Sequence, residues 1–153
     1  MAYQKLQVER ALTVIASNSI NIPNVAGPTV SGTTDGVTAN KLVDSTASFT
    51  SNLLGYIVYN TTDSTVATVT AVDDAGTLSL SADIMASGES YTLYADDNNG
   101  CVLYAGNTGS VRVLTVGNDA VTFVGIPAGS FIPVQVKRVF ATPAPPAGII
   151  ALW

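Results

Sequence analysis

Histidine is absent from the chain, and cysteine occurs once, at Cys101. The first absence removes the commonest general base and the commonest metal ligand together. The second excludes an internal disulfide and a thiolate zinc site. A lone cysteine beside Val and Leu reads as a small buried hydrophobe. Charge is scarce as well: Asp, Glu, Lys and Arg make up 11% of the 153 residues, where about 25% is usual. The surface must then be built from Thr, Ser, Asn, Gly and Ala, or be covered in part by a partner. The formal net charge is −5 and no basic stripe is present. Nucleic acid is therefore not an expected partner, because affinity for it comes largely from phosphate neutralisation. Long hydrophobic runs are missing too. Nothing approaches the roughly 20 apolar residues of a membrane span. The run 11–16, preceded by Glu9 and Arg10, is too short for a secretory signal core. The expectation is a soluble chain made in a cytoplasm, with no membrane partner.

Catalytic and metal-binding patterns are also lacking. Ser130 lies in "AGSF", outside a G-x-S-x-G setting and without a histidine to activate it. Only two glutamates occur, and the aspartates sit mostly in turns. "YAGNTGS" has glycines but no lysine and no strand-to-helix context, so it reads as a turn rather than a phosphate loop. "DDNNG" (96–100) resembles the start of a calcium loop, but its twelfth position is Asn107 instead of a bidentate Glu. It reads as a linker turn, and "VDDAG" (72–76) as a hairpin turn. No enzyme activity, cofactor or metal is expected.

What is there is strand punctuation. No window of a dozen residues sustains a helical stripe; residues 2–12, with Ala2, Leu6, Val8 and Leu12, come nearest. Val, Thr, Ile and Tyr recur in runs of four to eight, bounded by Gly, Asn, Asp and Pro. The spacing predicts strands at 12–17, 55–61, 64–72, 77–81, 91–95, 101–106, 110–116, 120–126, 132–141 and 148–153. Turns at 107–109 and 117–119 suggest that the strands from 101 to 126 form a meander. The fold class is all-β, a sandwich or barrel-like base domain carrying an inserted small barrel-like β module. The seam is read from charge. Residues 31–95 hold seven acids and one base, a net of −6, against four acids and five bases elsewhere. This places the base domain at 1–30 plus 96–153 and the acidic insert at 31–95, since insertions favour exposed turns.

The closing stretch "FVGIPAGSFIPVQVKRVFATPAPPAGIIALW" (123–153) holds five of the seven prolines and the only tryptophan. Its alternation slips at Lys137-Arg138, where Val139 takes what should be the polar face. That suggests a β-bulge, or a strand covered on both faces by a partner. "TPAPPAG" is a stiff connector, and "GIIALW" must pair within the protomer or with a neighbour, because a free apolar edge aggregates.

This segment resembles the spike-base family of tailed bacteriophages and gene-transfer agents. The resemblance rests on Leu103, Tyr104, Gly106, Gly109, Val111 and Val113, then on Val121, Phe123, Ile126, Pro127, Gly129, Ile132, Pro133, Val134, Val136, Arg138 and Val139, and on the closing Ile150-Ala151-Leu152-Trp153. The opening "ALTVIASNSINIP" resembles the family's first strand and loop, and residues 40–94 look like a small β module common in phage structural proteins. The chain departs from the pattern at the proline-rich 142–148 and in carrying the insert. The resemblance implies a virion structural protein on the capsid surface, made in the bacterial host's cytoplasm: a homo-oligomeric decoration, cement or head spike-base protein. Implied partners are other copies of the chain, as trimer or pentamer, the major capsid protein, and a fibre protein. Phe131, Pro133, Lys137, Arg138, Phe140, Ile149, Ile150, Leu152 and Trp153 are the expected subunit or shell contacts. Two other readings stay open. One is a tail or baseplate adaptor. The other is a glycan-binding host-attachment module using Tyr56, Tyr59, Tyr91 and Tyr94.

Overall fold

The computed structural model describes residues 8–153. Most of the 2–12 stripe thus lies outside the described residues; its end enters a strand. The described chain is all-β, with twelve strands and a single 3₁₀ turn at Ser51–Leu53. It divides into two compact units. One comprises the chain up to Ile22 together with Asn98–Trp153; the other is Pro23–Asp97. The seam therefore falls at 23 and 97, outside the expected 31 and 95. The reason is pairing: Asn24 bridges Ala95, and β2 (Val30–Thr33) zips onto β7 (Ser90–Tyr94), so both approaches belong with the insert. With these bounds Pro23–Asp97 carries nine acids against Lys41, a net of −8, and the remainder carries two acids and five bases, a net of +3.

The first unit is one antiparallel sheet. Its strands are β1 (Ala11–Thr13), β8 (Cys101–Ala105), β9 (Gly109–Thr115), β10 (Ala120–Ile126), β11 (Ser130–Val139) and β12 (Ile149–Leu152), in the order β1-β12-β8-β11-β9-β10. The expected meander holds only for the β9–β10 hairpin. β11 lies between β8 and β9, pairing with β8 from Ser130 to Val136 and with β9 from Val136 to Val139; local turn chemistry does not choose the neighbour. Cys101, Leu103 and Ala105 of β8, Val111 and Val113 of β9, and Ile149 and Ala151 of β12 point to one side and form the core with Ile22, Ile132, Val136 and Val139. The period-2 alternation of a strand produces this one-sided burial. The Cys101 thiol is 1% exposed and donates to the Val136 carbonyl oxygen. Burial pushes its pKa up to about 12, which makes it an inert core group.

β11 carries two irregularities, between Ile132 and Val136 and between Val136 and Arg138. The second is a bulge at Lys137. It lets Val136, opposite Thr115, and Val139, opposite Val113, both face the core. The slip in alternation at Lys137-Arg138 is thereby accounted for within one chain. Beyond Val136, β11 has outrun β8, and residues 17–22 take its place: the Ser17 and Ile22 amides donate to the carbonyls of Val139 and Lys137.

The second unit contains β2, β3 (Lys41–Val43), β4 (Ile57–Asn60), β5 (Thr65–Asp74), β6 (Thr77–Leu80) and β7, in the order β2-β7-β4-β5-β6-β3. The sheet curls until the Asp35 amide, just past β2, donates to the Val43 carbonyl of β3 at 3.0 Å, bringing the two end strands together as in a barrel. The interior is filled by Leu42, Phe49, Val58, Ala67, Val69, Leu78, Tyr91 and Leu93. β2 and β3 escape the sequence reading because "VSGT" and "KLV" are short and one contains glycine. Asn60, a formal glycosylation acceptor in "NTT", is fully buried.

Thr34, Asp44 and Asn60 are the buried polar side chains of this unit, and Asp44 is the one that ionises. Asp44 is 4% exposed. Burial pushes its carboxyl pKa up, but hydrogen bonds from the Thr46 side chain (2.6 Å), the Tyr91 hydroxyl (2.8 Å) and the Thr46 amide (3.0 Å) outweigh burial and hold it below the ordinary value. A carboxylate with a lowered folded pKa contributes stability above its unfolded value near 3.9, and that contribution is lost as pH falls through the folded value. Asp44→Asn should therefore be less stable than the parent at pH 7 by about 2 kcal/mol, the scale of hydrogen bonds to a charged group. The gap between the two thermal midpoints should narrow below about pH 4. A gap that stays constant from pH 7 to pH 3 would show that the ionised carboxylate is not what matters.

Candidate interaction surface

The strand alternation that buries one side of the first sheet pushes an apolar set to the other. Ile150 stands opposite Tyr104 and Leu152 opposite Val102 across β12 and β8; Phe131 stands opposite Tyr104 across β11 and β8. The Tyr104 and Phe131 rings meet edge-on, with centroids 5.5 Å apart. Val102, Phe131, Pro133, Val134 and Gln135 line a depression of about 290 Å³ beside them. Phe131 is 56% exposed, and none of the residues named here carries a charge.

Four of the nine expected contact residues, Phe131, Pro133, Ile150 and Leu152, thus share one face. Tyr104 and Val102 belong to it as well and were not picked out as contacts. Their signal was available, since they alternate with Cys101, Leu103 and Ala105, but only pairing with β12 shows which set is inside. Ile149 is a correction. It is 3% exposed, lies in the core opposite Ala105, and presents no surface. Trp153 packs partly buried against the same core, and its indole N–H donates to the Asn98 side-chain oxygen at 3.1 Å. "GIIALW" pairs within the protomer as an inner strand, held by β1 on one side and β8 on the other. The connector 142–148 is anchored rather than a free spacer: the Gly106 amide donates to the Gly148 carbonyl, and the Asn107 side chain to the Ala147 carbonyl.

The remaining three expected residues gather elsewhere. Lys137 donates to the Asn118 side-chain oxygen. Arg138 is held by the Asn21 side-chain oxygen (3.0 Å) and the Asn18 carbonyl (3.1 Å). Its guanidinium carbon lies 6.0 Å from the centre of the Phe140 ring, and that of Arg112 lies over the same ring at 4.5 Å. Arg112 was not anticipated, because a single arginine in "SVRVLTV" gives no hint of what stands beside it.

In the second unit, Asp63, Thr65, Asp83, Ile84, Met85, Ala86 and Glu89 line a depression of about 260 Å³. A hydrogen bond with Glu89 and its like charge raise the Asp63 pKa, while hydrogen bonds from the Ala86 amide and the Asp63 and Asn60 side chains lower that of Glu89. Among the described residues no three His, Cys, Asp or Glu side chains are grouped to hold a metal ion. Of the four tyrosines considered for glycan binding, Tyr59 and Tyr91 are buried at 3% and 2% exposure and cannot meet a ligand.

The fold and these surfaces define a two-unit, all-β chain with an uncharged apolar sheet face. No family model matches the chain, and no similar curated protein or solved structure was found.

Proposed function

We propose that the chain is a structural protein of a tailed-phage virion, a homo-oligomeric decoration, cement or spike-base protein on the outside of the head. The observation that carries this reading is the outer face of the first sheet. Phe131 and Pro133 are exposed there, with Tyr104, Ile150 and Leu152 half-buried beside them in a single chain, and apolar patches mark interaction surfaces. The family resemblance of residues 103–153 supplies the kind of partner: sister subunits in a trimer or pentamer, and the major capsid protein. A fibre would be a further partner if the chain serves as a spike base. Several residues carrying the resemblance, Leu103, Val111, Val113, Ile132, Val136 and Val139 among them, are core residues. They support a common framework more than a common binding site.

The mechanism is surface complementarity. Each bound copy adds contacts to the assembled shell and none to dissociated subunits, so binding stabilises the lattice by mass action. The acidic second unit adds like charge between particles. A tail or baseplate adaptor is the rival with the same chemistry. Antibody raised against the chain, imaged on particles from a producing lysate by electron microscopy, separates the two. Label over the head is expected. Label confined to the tail tip would favour the adaptor, and no label on any particle would sink both.

A further inference from the structure

We propose that Arg112, stacked on Phe140 beside Arg138, docks a carboxylate from the acidic unit of a second copy of this chain. This rests on the homo-oligomer reading and names a contact for it. Arg112 projects from β9 on the side opposite the core residues Val111 and Val113. Its guanidinium lies 4.5 Å from the centre of the Phe140 ring. The Phe140 amide donates to the Arg112 carbonyl at 2.9 Å, which fixes the two residues relative to each other. Arg138 approaches the same ring from its Asn18 and Asn21 anchors. A stacked guanidinium is already oriented, so little freedom is lost when its N–H groups engage an anion.

No anion in the first unit answers these cations. Its two acids, Glu9 and Asp119, form no ion pair with Arg112, Lys137 or Arg138; the ion pair found among the described residues, Lys41–Asp73, is in the second unit. Arg112 contributes its charge and its stacking to the unit and, among the described residues, makes no side-chain hydrogen bond there. The planar fork of N–H donors suits a bidentate carboxylate. The acidic unit, at net −8, supplies carboxylates in excess, while the basic unit stands at +3. A basic patch of one copy on the acidic unit of the next is a head-to-tail contact, and such contacts close into rings when the rotation allows. A polyanionic nucleic acid is a poorer match, since a chain of net −5 repels it.

The test uses the full chain. Sedimentation velocity across dilution, at about 0.02 M and about 0.5 M salt, should show association weakened at the higher salt, where screening is nearly complete beyond a few ångströms. Arg112→Gln should weaken low-salt association at least about tenfold and remove most of the salt dependence, as expected for loss of one charge-assisted pair. Arg112→Lys, which keeps the charge without the fork, should fall between. An unchanged thermal midpoint shows that the fold survives; should Arg112→Gln fail to fold, the Lys variant and the salt series of the parent decide. Association that ignores both salt and Arg112 overturns this contact but leaves the homo-oligomer reading standing. A parent chain that stays monomeric at all concentrations removes both.

Discussion

Deleting Ile149–Leu152 should abolish folding of the first unit rather than merely loosen an assembly. The strand is internal. β12 pairs with β8 through four residue pairs and with β1 through three, so β1 loses its sheet partner along with it. Ile149 and Ala151 leave the core at the same time. Removing a buried isoleucine side chain alone typically costs about 2–5 kcal/mol, and two ladders of backbone hydrogen bonds go with it. That exceeds what a domain with the usual margin of about 5–15 kcal/mol absorbs. In two-dimensional amide spectra, signals of β8, β9 and β11 should collapse to random-coil positions. Signals of β4, β5 and β7 should remain dispersed, because the second unit has a core of its own. Dispersed signals from β8 and β9 in the deleted chain would mean that β12 is not an inner strand.

Gly32→Ala should be the most damaging single methyl group in the second unit. Gly32 pairs with Tyr91 across β2 and β7. A Cβ built there would lie 2.6 Å from the Asp44 carboxylate oxygen, 2.6 Å from the Tyr91 hydroxyl and 2.9 Å from the ring carbon bearing it. These atoms are side-chain ends, but they are not free to move. Tyr91 and Asp44 are buried and bonded to each other at 2.8 Å. The methyl group must therefore break that bond or push the strands apart. Overpacking costs about 1–3 kcal/mol and a lost bond to a buried charged group about 1.5–3 more, so a loss of about 3 kcal/mol or more is expected. Tyr91→Phe vacates one of the contested positions. The double variant should then cost less than the two single changes together, as coupled neighbours do. Additive losses measured by urea unfolding would show that the hydroxyl is not the obstacle.

Both predictions depend on facts about neighbours, and that marks the division between sequence and structure. The sequence by itself determined the strands with clean alternation or strong apolarity: β4, β5, β6, β7, β8, β9, β10, β11 and β12 each overlap a stretch read from Val, Thr, Ile and Tyr periodicity. It determined that the chain is all-β, and that the alternation slips at Lys137-Arg138. These are local properties, because side-chain period and turn chemistry act over a few residues. Tertiary structure alone decided the rest. Alternation says that Ile149 and Ala151 face one way and Ile150 and Leu152 the other, but only pairing with β8 sends the first pair into the core and the second to the surface. The slip at Lys137 could mean a bulge or a partner, and the opposition of Val136 to Thr115 and Val139 to Val113 makes it a bulge. Charge placed the seam near 31, whereas Asn24 bridging Ala95 moves it to 23. Arg112 and Phe140 are 28 positions apart, and no local pattern links them until the bulged end of β11 comes to rest on β9. Which strands become neighbours is settled by burying the whole apolar surface at once, a condition on the entire chain that no short window of residues contains.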